Sequence, residues 1–514
     1  MIGERPRIET RSGVARGRAE SGVAVFRGVP YARAPIAELR WAPPEREAPW
    51  AGVLDAGDFG PMAPQRPGVL MRMLGMDGTA SGEDCLTLNA WVPSGGGVAG
   101  RRRPVLVWLH GGGFTAGAGS LPVYDGQHLA RRGDAVVVTV NYRLGALGFL
   151  AWGDRSGADP GAANLGLLDQ IAALAWVREH ADRFGGDPDN VTVFGESAGA
   201  MSIGALLGAP AARGLFQRAI LQSGASHNVS PPAAGRRVAE QFCAAAGLPG
   251  ADAAALRGLS VDGVLDAQQR VVDESWRTVG GLAFQPVVDG RVIPRAPLDA
   301  VADGAAREIS LLVGTNLDEW NLFALPDAKL RDLDEAGLLR RLLRNPLVSG
   351  SAPCCDPEAL AKHAIEVYRG ARAARGVAVE PRALWLALQT DRVFRIPAIR
   401  LAERQCAHPA RSFSYLFTWA SAALGGALGS CHGLEVPFAF GTTGGAAAQL
   451  VGGGPQVERL AARIQDAWLA FARSGDPGWR AYDDAERSTM VLGRECGLAA
   501  DPMGEERRFW EGLL

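Results

Sequence analysis

Six short runs, each almost wholly apolar and rich in β-branched residues, recur along this chain with helical patterns between them. They are VLVWLH (105–110), AVVVTV (135–140), NVTVFG (190–195), RAILQSG (218–224), ISLLVGTN (309–316) and FSYLFTW (413–419). A strand with one wet face alternates apolar and polar residues. These runs do not alternate, so both of their faces must be covered. Covering both faces with the intervening helices is the layout of an α/β fold with a mostly parallel central sheet. One such helix is predicted over 165–184, where Leu167, Ile171, Leu174 and Ala175 form a single stripe. Asn164 is placed to cap its start, and Gly185, Gly186 and Pro188 to stop it. Regions 225–285 and 320–410 read as helical insertions over a sheet edge and a site mouth. The Gly/Ala-rich pieces GGGVAG (95–100) and GTTGGAAAQLVGGGP (441–455) read as surface loops.

Charge narrows the possible partners. Lys and Arg number 53 against 55 Asp and Glu, for a net charge of −2. That balance gives no reason to expect nucleic acid or an anionic membrane as partner. The N-terminal stretch MIGERPRIETRSG carries charges where a signal peptide needs apolar residues, and no apolar run approaches the roughly 18 residues of a membrane span. The expectation is a soluble, cytoplasmic protein. Its 7 cysteines have no metal-ligand spacing, which points to reduced thiols and no metal. The adjacent Cys354 and Cys355 read as local happenstance. Nothing in the sequence sets an oligomeric state.

The stretch VTVFGESAGA (191–200) is where chemistry enters. A strand runs into Gly195-Glu196-Ser197-Ala198-Gly199 and then into a helix-forming run. Glycines two positions either side of Ser197 suit a sharp strand-to-helix turn that projects the serine outward, although a glycine-rich chain also produces GxSxG by accident. A serine hydroxyl is a poor nucleophile until a base takes its proton, and the oxyanion it creates needs fixed donors. Three further parts should therefore exist. His110-Gly111-Gly112-Gly113-Phe114 directly follows the strand VLVWLH, and its consecutive glycines let backbone N–H groups turn toward one point. For the base, His432 in SCHGLEVPFAF lies in a turn before a proline, past Ser197 as the chain order requires. His363 sits in a charged helical stretch, His408 in the surface-like QCAHPA, and His227 leaves no room for an intervening acid. For the acid, LLVGTNLDEW (311–320) delivers Asp318 and Glu319 off a strand end, and physics alone does not separate the two.

In order along the chain stand FRGVPYARAP (26–35), EDCLTLNAW (83–91), HGGGF (110–114), NYRLGALGFL (141–150), FGGDPDNVTVFGESAGA (184–200), LFQRAILQSG (215–224), GTNLDE (314–319) and CHGLEVPFAF (431–440). Together they resemble the type-B carboxylesterase family, which also holds the cholinesterases and para-nitrobenzyl esterase-like enzymes. The resemblance covers residues 8–495 as one α/β-hydrolase domain, with 496–514 as its tail and helical insertions over the site. It implies a serine carboxylesterase acting on short to medium acyl chains, with Ser197 as nucleophile, His432 as base and Glu319 as the orienting acid. It also implies oxyanion donors at the N–H groups of Gly112, Gly113 and Ala198, a small-molecule ester as partner and no cofactor. The alternatives are the same triad on carbamate, amide or polyester bonds and, more remotely, a non-catalytic binding scaffold. Glu196 is expected to be buried and architectural, paired with an arginine such as Arg143. Cys85 has no cysteine before it, so the bridge that secreted members make from this motif cannot form. Trp320 replaces the family's usual glycine, and residues 61–82 hold no tryptophan for a choline cradle.

Overall fold

The computed structural model describes residues 5–66, 80–95, 102–152, 163–248, 250, 253–278, 281–344 and 356–513. The Cys354–Cys355 pair, most of the GGGVAG loop and residues 67–79 of the 61–82 segment lie outside them. All six expected strands form. Across the sheet they run Val136–Val140, Arg103–Leu109, Gly186–Glu196, Arg218–Gln222, Ser310–Asn316 and Ser412–Phe417, and every pairing is parallel. Ser488–Leu492 extends the parallel set. Antiparallel strands complete the 11-stranded sheet, with Gly497–Ala500 on one edge and Thr87–Pro93, Val23–Pro30 and Arg18–Glu20 on the other. A separate 3-stranded sheet joins Arg7–Glu9, Val14–Arg16 and Val53–Asp55.

The unbroken apolar runs lie where both faces are dry. Val105, Leu106, Val107, Trp108 and Leu109 are all 0 % exposed, as are Val191, Val193 and Phe194. Fully burying each such side chain contributes about 1.5–3 kcal/mol before the entropy of ordering is counted. On one face Trp108 packs against Phe194, Phe440 and Tyr124 at ring-centroid distances of 4.8, 4.9 and 5.0 Å. This aromatic cluster lies directly under the end of the central strand.

Strand order makes the crevice. From Arg103–Leu109 the chain moves outward to Val136–Val140, then returns to lay Gly186–Glu196 on the opposite side of Arg103–Leu109. The connections leaving these two neighbours run in opposite directions, and a cleft opens at their carboxyl ends. In register, Leu109 and Leu221 both lie opposite Gly195, so this strand ends at Glu196 between two neighbours that end within one residue of it.

The helix predicted over 165–184 spans Leu165–His180 and continues as a 3-10 turn over Ala181–Phe184. Two expectations for it change. Ala175 is exposed and Ile171 half-buried, and the covered stripe instead runs through Leu167, Gln170, Leu174 and Val177. Polar Gln170 belongs to it because its amide donates to Ser202 Oγ at 3.1 Å. Asn164 does not cap the helix: it sits at φ 62°, and its side chain bonds Val287 N and O, tying in a loop more than a hundred residues away. The 441–455 segment is not wholly loop, because Ala448–Val451 makes a helical turn, held as Trp419 Nε1 donates to Val451 O. Among the described residues no helix is long and apolar enough to cross a membrane.

Candidate active site

Ser197 stands at the junction of the Gly186–Glu196 strand and the helix Ala198–Leu206, with φ 53° and ψ −125°. A non-glycine residue there costs about 1–3 kcal/mol, and the surroundings must impose it. They do so from both sides. Ser197 N–H donates to Gln222 O at 2.9 Å, and Ser197 O accepts from Met201 N–H at 2.8 Å. Gly199 is what lets the helix start so close to the sheet, since a Cβ there would lie 1.9 Å from Leu109 O. The glycine loop 111–113 leaves that same Leu109. Its Gly112 and Gly113 adopt φ 117° and 60°. A Cβ on Gly111 would fall 3.0 Å from Ser197 Cβ, so loop and elbow touch. Among the described residues none accepts from the backbone N–H of Gly112, Gly113 or Ala198. Ala198 N–H also stands at the positive end of its helix, where negative charge is favoured.

In the fold His432 and Glu319 meet. His432 Nδ1 lies 2.7 Å from Glu319 Oε2, and Glu319 is 0 % exposed. The other carboxylate oxygen, Oε1, accepts from Asn316 N–H at 2.7 Å, which fixes the rotamer. Asp318, its neighbour, does different work. Its Oδ2 accepts from Ser430 N–H and its own N–H donates to Ser430 O, both at 2.9 Å, so it ties down the loop that carries His432. Behind the pair lies a third carboxyl that the sequence reading missed. Glu435, 1 % exposed, accepts from Asn316 Nδ2 at 2.6 Å and from Gln222 Nε2 at 3.1 Å. Of the other candidate bases, His408 Nε2 meets Val301 O, His363 packs on Phe509, and His227 sits against the backbone of Val393.

Glu196 is buried, as expected, but its arginine partner is not there. Arg143 is taken by Asp169, with Nε to Oδ2 at 2.8 Å and Nη2 to Oδ1 at 2.6 Å, the two side chains being 3 % and 0 % exposed. A bidentate guanidinium already filled by a helix-borne aspartate has nothing left for Glu196. Glu196 Oε1 instead lies 3.0 Å from His432 Nε2, although neither atom is in a well-aligned hydrogen bond. The imidazole is therefore flanked by carboxylates on both nitrogens. Burial alone would lower its pKa, but Glu196 and Glu319 outweigh burial and hold it up at about 9. Burial pushes the Glu196 carboxyl up as well, to about 8. Where Glu196 is ionised, its charge is part of what retains the imidazole proton, and glutamine removes it. Glu196→Gln is thus expected to move the acid limb of kcat/KM to lower pH by about one pH unit. Profiles on a neutral ester between pH 6 and 10.5 check it, and an unmoved limb would show that Glu196 leaves His432 alone.

Aromatic side chains wall the other flank of His432. Phe394 and Phe323 lie 4.7 and 5.1 Å from its ring. Phe323 belongs to the short helix Trp320–Ala324, whose first residue, Trp320, packs on Phe323 at 5.0 Å. Phe394 comes from a π turn, Asp391–Arg395, between the helices Pro381–Thr390 and Ile396–Cys406. That turn is clamped from behind. Arg395 pairs bidentately with Asp391 at 2.6 Å, and Asp391 accepts from Tyr368 OH at 2.5 Å, which in turn accepts from Trp510 Nε1 at 2.7 Å.

The chain matches known proteins over nearly its whole length. Residues 4–510 match the model of the carboxylesterase family. The para-nitrobenzyl esterase of Bacillus subtilis is 38 % identical over 98 % of this chain and 97 % of its own. Phenmedipham hydrolase of Pseudarthrobacter oxydans is 36 % identical, over 96 % of each chain. Among solved structures, a carboxylesterase of Geobacillus stearothermophilus superposes with a TM-score of 0.84 at 39 % identity, covering 98 % of this chain and 100 % of that one. A para-nitrobenzyl esterase structure gives 0.86 at 35 % identity, covering 99 % of each. With identities this high across nearly all of both chains, the fold is that of the α/β-hydrolases, and the protein belongs to the carboxylesterase family as a carboxylic-ester hydrolase.

Proposed function

We propose that this enzyme hydrolyses carboxylic esters of short to medium acyl chain through an acyl-enzyme on Ser197. The observation that carries the reading is the 2.7 Å contact between His432 Nδ1 and buried Glu319. It fixes the ring with Nε2 on the side of Glu196, 3.0 Å from its Oε1 and next in sequence to Ser197, where a base is needed. Ser197 Oγ attacks the ester carbonyl and gives its proton to Nε2. The carbonyl oxygen becomes an oxyanion held by the N–H groups of Gly112, Gly113 and Ala198. The imidazolium then protonates the leaving alcohol. A water that gives its proton to His432 attacks the acyl carbon, the acid departs and Ser197 recovers its hydrogen. Glu319 stays ionised throughout and stabilises the imidazolium. In the resting enzyme Glu196 competes for Nε2, and the arriving substrate has to leave that nitrogen to Ser197.

Two boundaries support a confined acyl site. Phe323 and Phe394 close the side of His432, and Leu282 stands 3.4 Å from where a Cβ on Gly113 would lie. Initial rates on p-nitrophenyl esters of increasing acyl length test this, with kcat/KM expected to peak at short to medium chains and fall beyond them. A rate that keeps rising to long chains overturns the confined pocket. A serine-dependent rate on p-nitrophenyl carbamates that exceeds every ester would move the substrate class.

A further inference from the structure

We propose that Gln65 is a positioning residue for the oxyanion donors, acting through Gly117 on the Gly111–Gly112 peptide. This rests on the reading of Gly112 as a donor. Gln65 is 5 % exposed and lies far from the elbow in sequence, on the segment that follows Pro61. Its side-chain amide grips one residue of the donor loop at two points. Nε2 donates to Gly117 O at 2.9 Å, and Oε1 accepts from Gly117 N–H at 2.8 Å. The second Nε2 hydrogen goes to Ala63 O at 3.0 Å. Both donors of the amide and its acceptor are used, so neither the rotamer nor the amide orientation is free.

Gly117 transmits the grip. It adopts φ 112°, and a Cβ there would lie 2.3 Å from both Gly111 O and His110 Nδ1. Gly117 therefore packs directly on the Gly111 carbonyl, the same oxygen that His110 Nδ1 meets at 2.8 Å. Burial lowers the His110 pKa to about 4, so the ring is neutral and its Nδ1–H donates. The Gly111 carbonyl and the Gly112 N–H belong to one planar peptide. Whatever holds that oxygen also aims that N–H, on the opposite edge of the plane. The Gly112–Gly113 stretch has little else to stiffen it, since glycines at φ 117° and 60° carry no side chains to lock. The loop is closed by Thr115 and Ala116 N–H donating to Gly112 O and by Gly145 N–H donating to Phe114 O. None of these bonds reaches the Gly111 oxygen. Gln65 holds the loop where it folds back on that oxygen, and the fixed donor geometry depends on it.

Gln65→Met keeps the volume of the side chain and removes all three bonds. Wild type and variant are compared for kcat per active site, counted from the p-nitrophenolate burst, for KM, and for inhibition by a trifluoromethyl ketone whose adduct with Ser197 is an oxyanion. We expect kcat per site to fall about 10- to 100-fold, KM to stay within about three-fold, and the inhibitor to weaken in step with kcat. A merely structural Gln65 would shrink the burst and lower the melting temperature while kcat per counted site and inhibitor affinity held, and that result overturns the proposal. If Gln65→Met yields no countable sites, Gln65→Asn, which keeps the amide one methylene short, is judged by the same two readouts. Should the ketone fail to inhibit wild type, or Ser197→Ala stay active, the donor and nucleophile reading falls and this inference falls with it. With both of those controls behaving, unchanged values in the variant refute the role of Gln65 alone.

Discussion

Ester hydrolysis by Ser197→Ala is expected to fall about a million-fold in kcat, with the protein still folded. On the proposed mechanism the alanine removes the atom that bonds to substrate, and it leaves His432 and the N–H donors with no nucleophile to serve except water. The companion variant Ser197→Gly separates chemistry from architecture. Ser197 holds φ 53° in a region that glycine enters freely. Glycine there should stabilise the fold by about 1 kcal/mol, read as a higher urea midpoint, while activity is lost as completely as in alanine. If Ser197→Ala keeps most of the wild-type rate, the nucleophile lies elsewhere. If Ser197→Gly is less stable than wild type, the turn is not strained.

Glu319→Gln should cost about 10⁴-fold in kcat with little change in KM. The carboxylate oxygen 2.7 Å from His432 Nδ1 accepts the ring proton on that side, which leaves Nε2 to take a proton from Ser197. An amide at 319 turns its NH₂ toward the ring or presents a weaker acceptor, so it favours the wrong tautomer and cannot balance an imidazolium. Asp318→Asn is the matched control. Asp318 holds Ser430 rather than His432, so its loss should loosen the histidine loop and lower the melting temperature, with a far smaller drop in kcat per folded site. Equal kinetic losses in the two variants would contradict the division of labour between these neighbours.

How much of this was legible follows from which contacts are local. The six parallel strands could be read because a segment dry on both faces must be apolar throughout, whatever its neighbours are. Ser197 and Gly111–Gly113 could be read for a similar reason, since a sharp turn and a bare backbone loop each impose residue types on a few consecutive positions. Asp318 and Glu319 could not be separated from chemistry alone. The two have the same functional group, and what differs is where a strand end aims each one. Glu196 was expected to have an arginine because a buried carboxylate needs a partner. The expectation failed because Arg143 was already matched to Asp169 on a helix, a pairing no spacing reveals. Gln65, Glu435 and the clamp on Asp391 left no local pattern at all. Each is a common polar residue whose meaning comes from what the fold brings beside it.

The π turn at Asp391–Arg395 has a consequence for how such a site changes over generations. A π turn is an α-helical turn with one residue too many. Deleting one residue from it restores the ordinary helix count, so the flanking helices keep their alignment while the side chains inside the turn are re-aimed. Phe394 would then swing off the ring of His432, and Asp391 and Arg395 would lose the alignment that lets them pair. The aromatic surface beside the imidazole is thus controlled by chain length in a segment that holds none of the proposed catalytic residues. In-frame insertions and deletions there, rather than point substitutions, are the coarse adjustment by which a lineage can re-aim that wall while leaving the reaction machinery as it was.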